Sequence, residues 1–128
     1  MIGVETAEFL ADRGSKVTVV EMLKAVATDV GPTIRWGFLA RLSRKISILT
    51  STEVIEVKEK GVVVSDPEGN RKEIHCDTVV IASGLDGRAD LVEPLKKKDA
   101  EIYVVGSCRK PGQIADAVED AFSVGCKI

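Results

Sequence analysis

The sequence has few aromatic residues and no long run of charges of one sign. Only 4% of its 128 residues are aromatic, and 18 basic against 20 acidic side chains leave a net charge of -2. The two short basic runs, residues 41–45 and 96–98, contain no aromatic side chain on which a nucleic-acid base would stack. The composition therefore argues against a nucleic-acid partner.

Long apolar segments are absent too. No stretch approaches the roughly 18 apolar residues of a membrane-spanning helix, and the N-terminus lacks the basic-then-apolar layout of a signal peptide. The sequence thus predicts no membrane partner and a cytoplasmic location.

The thiols and the single histidine form no recognisable redox or metal motif. Cys76, Cys108 and Cys126 show neither C-x-x-C nor C-x-x-H spacing, so reduced thiols are predicted instead of disulfides or a zinc site. His75 lies in a predicted strand without an evident partner, and we interpret it as an ordinary strand residue. Cys108 is expected to be a small buried side chain. No metal site is predicted.

The first part of the chain alternates helices and strands. With 45% apolar residues, the chain is long enough to bury about two-thirds of its unfolded surface, as one domain or two incomplete ones. Apolar spacing predicts a helix over residues 2–13, a strand over 16–21, a helix from Pro32 and a short strand over 46–49. Gly14 is expected to end the first helix.

The second part begins with a period of two. Residues 54–58, 62–65 and 71–75 predict three antiparallel strands. The apolar run 78–82 predicts a parallel strand buried on both faces, followed by a last strand over 101–105 and a last helix over 113–127 with one apolar face. The predicted fold class is α/β, Rossmann-like and three-layered, with a parallel sheet and an antiparallel meander.

Gly3 and Glu21 match the second half of a dinucleotide-binding fingerprint, G-x-G-x-x-G followed by an acid after the second strand. Gly3 would let the first helix pack closely, and Glu21 would accept hydrogen bonds from the ribose hydroxyls and repel a 2′-phosphate, which favours NADH. A helix cap and a solvated acid are the alternatives. The first strand and the two earlier glycines are expected upstream of Met1.

Three segments carry a family resemblance: I-G-V-E-T-A-E-F-L-A at 2–11, V-T-V-V-E-M at 17–22 and V-V-G-S-C at 104–108. The chain resembles the C-terminal region of NADH-dependent enoate reductases and 2,4-dienoyl-CoA reductases, which are old-yellow-enzyme-like flavoproteins. The resemblance implies an NAD(P)-binding domain at 1–84, lacking its first strand, and a return into the FAD-binding domain at 85–128.

The same resemblance implies the cofactors and the reaction. NAD(H) and FAD would be held by this region, whereas FMN, a 4Fe-4S cluster and the substrate would belong to an N-terminal barrel, its partner in the parent protein. Hydride would pass from NADH to FAD and onward. No catalytic residue is assigned, because a hydride step needs no general acid or base.

Further binding residues follow from the resemblance. Glu5 would lie near the nicotinamide, although an acid in the first turn is also favoured by the helix macrodipole. Ser83 and Gly84 would lie near the dinucleotides at the crossing back to the FAD domain, although a plain turn explains them equally well.

The last motif departs from the family pattern. Gly106-Ser107 stands where relatives carry G-D, whose carboxylate would bind the ribityl chain of FAD, and Ser107 brings no charge. Backbone amides near Gln113, at the start of the last helix, would still face the flavin.

Two other functions remain open for the chain itself: a module that holds ADP or NAD without turnover, and an inert, self-associating fragment. Strands 16–21 and 78–82 would be left about 10 Å apart by the absent first strand. We expect strand 101–105, from the same chain or from a second one, to fill that gap, and we expect self-association in solution.

Overall fold

The computed structural model describes residues 1–98 and 100–128, which form two compact units, Met1–Ala82 and Ser83–Ile128. The elements of the first unit are α1 (Ile2–Ala11), β1 (Thr18–Val20), α2 (Pro32–Leu42), β2 (Ser47–Leu49), β3 (Glu53–Lys58), β4 (Gly61–Ser65) and β5 (Arg71–His75). Those of the second are α3 (Val92–Lys96), a 3-10 turn (Gly106–Cys108) and α4 (Ile114–Gly125).

The predicted α/β class is confirmed, with a parallel and an antiparallel sheet. β1 and β2 pair in parallel, with Val19 opposite Ile48. The meander has the order β3-β4-β5, and both of its pairings are antiparallel. Its central strand is the one with buried side chains, Val62 and Val64.

The helix boundaries follow local signals. Gly14 turns the chain after α1 with a φ of +88°, a left-handed conformation that glycine adopts without strain, although α1 itself ends at Ala11. Pro32 is the first residue of α2, where its missing amide costs no helical hydrogen bond.

The core of the first unit lies between α1, α2 and the small parallel sheet. It consists of Val4, Ala7, Val26, Ala27, Leu42 and Ile46. The predicted apolar faces of both helices are wrong in part, because Ile2, Phe9 and Ile34 are exposed. On α1 the small residues face inward, which lets the helix lie close to the sheet.

Ion pairs tie the outer surfaces of these two helices together. Glu8 of α1 accepts hydrogen bonds from Arg41 Nε at 2.7 Å and from a terminal nitrogen of Arg41 at 3.0 Å. Lys45 Nζ bonds Asp12 at 2.5 Å. The Arg41 guanidinium lowers the pKa of Glu8 below its ordinary value.

Two predicted strands do not form among the described residues. Residues 78–82 and 101–105 belong to neither sheet, so the expectation that 101–105 of the same chain fills the gap beside β1 is wrong. A strand is defined by its ladder of hydrogen bonds, and in the described part of the chain neither apolar run forms one. Residues 101–105 instead lead directly into the 3-10 turn.

The last helix is also more exposed than predicted. Ile114, Val118 and Phe122 line one face of α4, and each has more than half of its surface open to solvent. Among the described residues, no helix is both long enough and apolar enough to cross a membrane.

We expect Leu42→Ala to destabilise the first unit by about 2–5 kcal/mol, because Leu42 is fully buried, at 0% exposure, and its loss would leave a cavity. Urea denaturation followed by circular dichroism measures the loss. The matched control is Leu23→Ala in the same unit, where the leucine is half exposed and the expected change is within about 0.5 kcal/mol. Equal effects of the two substitutions would contradict the assigned core.

Candidate functional site

Glu21 directly follows β1 and is held to the sheet by its backbone. Its N–H donates to the Leu49 carbonyl at 2.9 Å, and its carbonyl accepts from Thr52 N–H at 3.0 Å. Its carboxylate oxygen Oε1 accepts from Leu23 N–H at 2.9 Å. The acid is half-buried at the carboxyl end of β1, where open α/β sheets bind their ligands.

Gly3 lies in close contact with the segment that ends the first unit. A Cβ atom at this position would lie 3.0 Å from the Cβ of Ala82. That distance is shorter than an ordinary van der Waals contact, so any side chain here would push α1 away from residues 78–82. The absence of a Cβ lets the start of α1 lie directly against this segment.

The fold brings Gly3 and Glu21 to the same edge of the parallel sheet. α1 packs against β1, and the short turn after Ala11 reverses the chain between them. Helix and strand therefore run in opposite directions, so the N-terminus of α1 and the carboxyl end of β1 lie at the same end. This arrangement fits the ribose and pyrophosphate parts of a dinucleotide.

Two acids lie at the N-terminus of α1, Asp29 beside Met1 and Glu5 in the first turn. The amides of Val4 and Glu5 both donate to the Met1 carbonyl. The Glu5 side chain is exposed in the first turn, a position that suits both macrodipole stabilisation and contact with a ligand.

Ser83 and Gly84 begin the second unit and are exposed. Gly84 has a φ of +118°, which L-amino acids with a side chain rarely adopt. The backbone conformation alone therefore favours glycine at this position. A plain turn explains Gly84 without a ligand.

The Gly106 turn is fastened to α4 by a side chain that the sequence assigned to the solvated face of the last helix. Asp120 accepts a hydrogen bond from Gly106 N–H at 2.8 Å and another from Arg109 Nε at 3.2 Å. A terminal nitrogen of Arg109 also bonds the second carboxylate oxygen. The Asp120 side chain is only 20% exposed. The Gly106 amide and then Arg109 lower the pKa of Asp120.

No pattern in the sequence indicated this contact. Asp120 lies fourteen residues after Gly106, and an acid on the polar side of an amphipathic helix ordinarily faces water. Gly106, with a φ of +71°, packs against α4, since a Cβ there would lie 3.4 Å from the Cβ of Ala117.

The residues next to Gly106 are exposed or engaged within the second unit. Ser107 is exposed in the 3-10 turn. Cys108 is also exposed, so its predicted burial is wrong, and its thiol donates to the Val105 carbonyl at 3.1 Å. The Gln113 amide, the expected flavin contact, already donates to Asp116 Oδ2 at 2.6 Å.

A surface cavity of about 350 Å³ lies between the 3-10 turn and α4. Its lining includes Gly106, Arg109, Lys110, Gly112, Asp116 and Asp120. Two of its carboxylates, those of Asp116 and Asp120, are engaged with backbone amides, and Asp120 is also paired with Arg109. Among the described residues there is no group of three or more acidic, histidine or cysteine side chains placed to hold a metal ion.

The family model for pyridine nucleotide-disulphide oxidoreductases matches residues 1–121. The chain belongs to the pyridine nucleotide-disulphide oxidoreductase family. The resemblance drawn from the sequence motifs is thereby confirmed. Domains of this type bind FAD and NAD(P) and occur in flavin oxidoreductases.

Curated relatives of this family member include larger proteins. The chain is 35% identical to an NADH oxidase of Thermoanaerobacter brockii over 130 residues, covering 100% of this chain and 20% of that protein. It is 32% identical to a metal reductase of Desulforamulus reducens over 124 residues, covering 96% of this chain and 18% of the relative. The chain thus spans about a fifth of the length of these relatives.

Solved structures agree on the fold. A 2-naphthoyl-CoA reductase in complex with 2-naphthoyl-CoA superposes with a TM-score of 0.81 at 30% identity, over 99% of this chain and 20% of that one. Histamine dehydrogenase from Rhizobium sp. 4-9 superposes with a TM-score of 0.87 at 21% identity. The match covers 98% of this chain and 21% of that one. The second likeness concerns the fold alone.

We expect Asp120→Asn to loosen the Gly106 turn from α4. Hydrogen exchange of the Gly106 amide, measured by NMR, should become faster, because a neutral amide oxygen is a weaker acceptor for this N–H and for Arg109. Glu119→Gln, on the same helix and with the same change of charge, is the control and should leave Gly106 unchanged.

The stabilising effect of Asp120 should also depend on pH. The folded protein lowers the pKa of Asp120 below its ordinary value of 3.8, so the stabilisation is complete above that value and is lost as the pH falls through the lower, folded-state pKa. The difference in stability of the Gly106 turn between wild type and Asp120→Asn, measured by hydrogen exchange of the Gly106 amide, should therefore be present at neutral pH and disappear in acid. A difference that persists unchanged in strong acid would contradict the role of the carboxylate.

Proposed function

We propose that this chain is the pyridine-nucleotide region of a flavin oxidoreductase that takes hydride from NADH and passes it to FAD, and onward to an enoate or enoyl-type substrate. The observation that carries the proposal is the placement of Glu21 and Gly3 at one edge of the parallel sheet. A bound FAD would supply the redox chemistry, and the chain's own residues would hold and orient the dinucleotides.

Each residue has a definite part in this proposal. Glu21 would accept hydrogen bonds from the ribose hydroxyls, and its negative charge would disfavour the 2′-phosphate of NADPH. Gly3 would keep the N-terminus of α1 close to the pyrophosphate. Glu5, in the exposed first turn, would lie toward the nicotinamide.

The flavin side of the proposal rests on the second unit. Gly106 and Ser107 would face FAD through the 3-10 turn that Asp120 fastens to α4. Because the Gln113 amide donates to Asp116 and the Gln113 side chain accepts from the backbone of Asp116 in a capping box, a flavin contact at Gln113 would come from its side-chain NH2 group. Ser83 and Gly84 would form the crossing between the two dinucleotides.

The names of the relatives support the wider reaction. An NADH oxidase, a cinnamate reductase at 26% identity and a 2-naphthoyl-CoA reductase are among the similar proteins. A parent protein of the same kind would add FMN and a 4Fe-4S cluster in an N-terminal barrel, and it would act in the cytoplasm. The second candidate is a module that holds ADP or NAD without turnover, which would use the same contacts of Gly3 and Glu21 with the pyrophosphate and ribose.

We expect Glu21→Arg, in the full-length protein, to shift cofactor preference toward NADPH by about tenfold or more, because a guanidinium matches a 2′-phosphate. The ratio of kcat/KM for the two cofactors measures the shift. Glu53→Arg, the same charge change at an exposed residue of β3, is the control. If the two variants give the same ratio as wild type, Glu21 is a solvated acid.

The 128-residue chain alone is expected to bind NADH with a dissociation constant on the order of millimolar or weaker, because a single fingerprint glycine leaves few amides to hold the pyrophosphate. Calorimetry at millimolar NADH, with ADP as a second titrant, provides the measurement. Micromolar binding of both would favour the module without turnover, since Gly3 and Glu21 would then suffice for the ADP part.

A further inference from the structure

The segments that follow the two parallel strands remain bonded to each other beyond the sheet. Past the end of β1, the Glu21 carbonyl accepts from Thr52 N–H at 3.0 Å, and the Leu23 carbonyl accepts from Ser51 N–H at 2.8 Å. Both donors belong to the short connection 50–52, which joins β2 to β3. The segment after β1 is therefore held by this connection as well as by its own strand.

Ser51 has a backbone conformation that is unusual for its residue type. Its φ is +50°, in the left-handed region that residues with a Cβ rarely adopt. Such a conformation persists only where the surrounding contacts hold it. Here the amides of Ser51 and Thr52 are both bonded to the segment after β1, and Thr52 Oγ1 donates to the Thr50 carbonyl at 2.9 Å. The strained residue thus lies where the connection contacts the segment that carries Glu21.

Leu23 links the strained residue to the Glu21 carboxylate. Its carbonyl accepts from Ser51 N–H, and its own N–H donates to Glu21 Oε1 at 2.9 Å. The Leu23 side chain is 53% exposed, so the link passes through the backbone. Because both peptide groups of Leu23 are bonded, a shift of Ser51 also moves the donor that orients the carboxylate.

The Leu23 amide gives the Glu21 carboxylate one orientation and leaves it able to accept further hydrogen bonds. An ionised carboxylate has about four lone-pair sites, and in the described part of the chain the Leu23 amide is the one donor bonded to this side chain. Fixing Oε1 also fixes the direction of Oε2. A carboxylate that is already oriented loses less side-chain freedom when it binds a pair of neighbouring hydroxyls.

We infer that Ser51 is a positioning residue for cofactor recognition. Its left-handed conformation holds the Leu23 peptide, and the Leu23 amide holds the Glu21 carboxylate ready for the 2′- and 3′-hydroxyls of an adenosine ribose. The inference rests on the proposed function, because it takes Glu21 as the ribose acceptor. The preference for NADH over NADPH then depends in part on a residue that acts on the nucleotide only by way of Leu23.

A purely structural turn between β2 and β3 is the alternative, and three substitutions separate the two roles. Ser51→Gly keeps the conformation, since glycine adopts a positive φ without strain. Ser51→Val disfavours it, because β-branched residues are genuine outliers there. Gly69→Val is the matched control: Gly69 has a φ of +84° in the meander, with open space around the position of a Cβ, so the substitution introduces strain away from Glu21.

Hydrogen exchange of the chain without nucleotide tests the link itself. The Leu23 amide should exchange about tenfold faster in Ser51→Val, because the peptide on its other side has lost its fixed partner. In Ser51→Gly and Gly69→Val it should stay within about threefold of wild type. Gly69→Val also reports the part of any change that comes from lower stability alone. An unchanged rate in Ser51→Val would overturn the inference.

Steady-state kinetics of the full-length protein tests the consequence for the cofactor. Ser51→Val should raise the KM for NADH about five- to tenfold and leave kcat within about twofold, because a ribose contact is made equally in the ground and transition states. The KM for NADPH should change by less than about twofold, since Glu21 offers that cofactor no attraction. Ser51→Gly and Gly69→Val should keep the wild-type preference.

Glu21→Ala distinguishes a failure of this inference from a failure of the proposed function. It should raise the KM for NADH, and adding Ser51→Val should raise that KM no further, because the effect of Ser51 passes through the carboxylate. If Glu21→Ala leaves the KM unchanged, the ribose contact and the inference both fail. If Glu21→Ala raises the KM and Ser51→Val does not, the inference alone fails. An effect of Ser51→Val that is equally large without the Glu21 carboxylate would assign Ser51 a purely structural role.

Discussion

The parallel pairing of β1 with β2 is the contact on which the first unit depends. Its ladder continues past the strands, because Glu21 N–H donates to the Leu49 carbonyl at 2.9 Å. The pairing supports the sheet surface on which α1 and α2 bury Val4, Ala7 and Leu42. It also fixes Glu21 at the edge of the sheet where the N-terminus of α1 lies. The same strand pairing therefore supports both the core and the candidate site.

Carboxylates serve as acceptors for backbone amides in both units. Glu21 binds the Leu23 amide, Asp116 binds the Gln113 amide and Asp120 binds the Gly106 amide. Each satisfies a backbone donor that has no partner in a helix or a strand. In the second unit this use of acids occupies the Gly106 amide and the Gln113 amide, the latter at the helix start where backbone amides were expected to face the flavin. Ligand binding there depends on the groups that remain, such as the Ser107 side chain.

Local patterns predicted most elements because their causes are local. Apolar spacing and Pro32 indicated α1 and α2, and the alternation of residues 54–75 indicated a meander that the structure confirms. The predictions failed where an element needs a distant partner. Residues 78–82 and 101–105 have the composition of buried strands, yet among the described residues they lie outside both sheets, since a strand forms only where a distant partner supplies its ladder.

The sequence by itself determined the α/β class, the family and the spacing of Gly3 and Glu21, because fingerprint glycines and strand-end acids act through residues close to them in the chain. Only the tertiary structure decided which helix faces are buried and which amides are already engaged. Asp120 reaches Gly106 across fourteen residues, and Gly3 meets Ala82 across the whole first unit. Contacts between residues so far apart depend on the packing of complete elements, which no local pattern records.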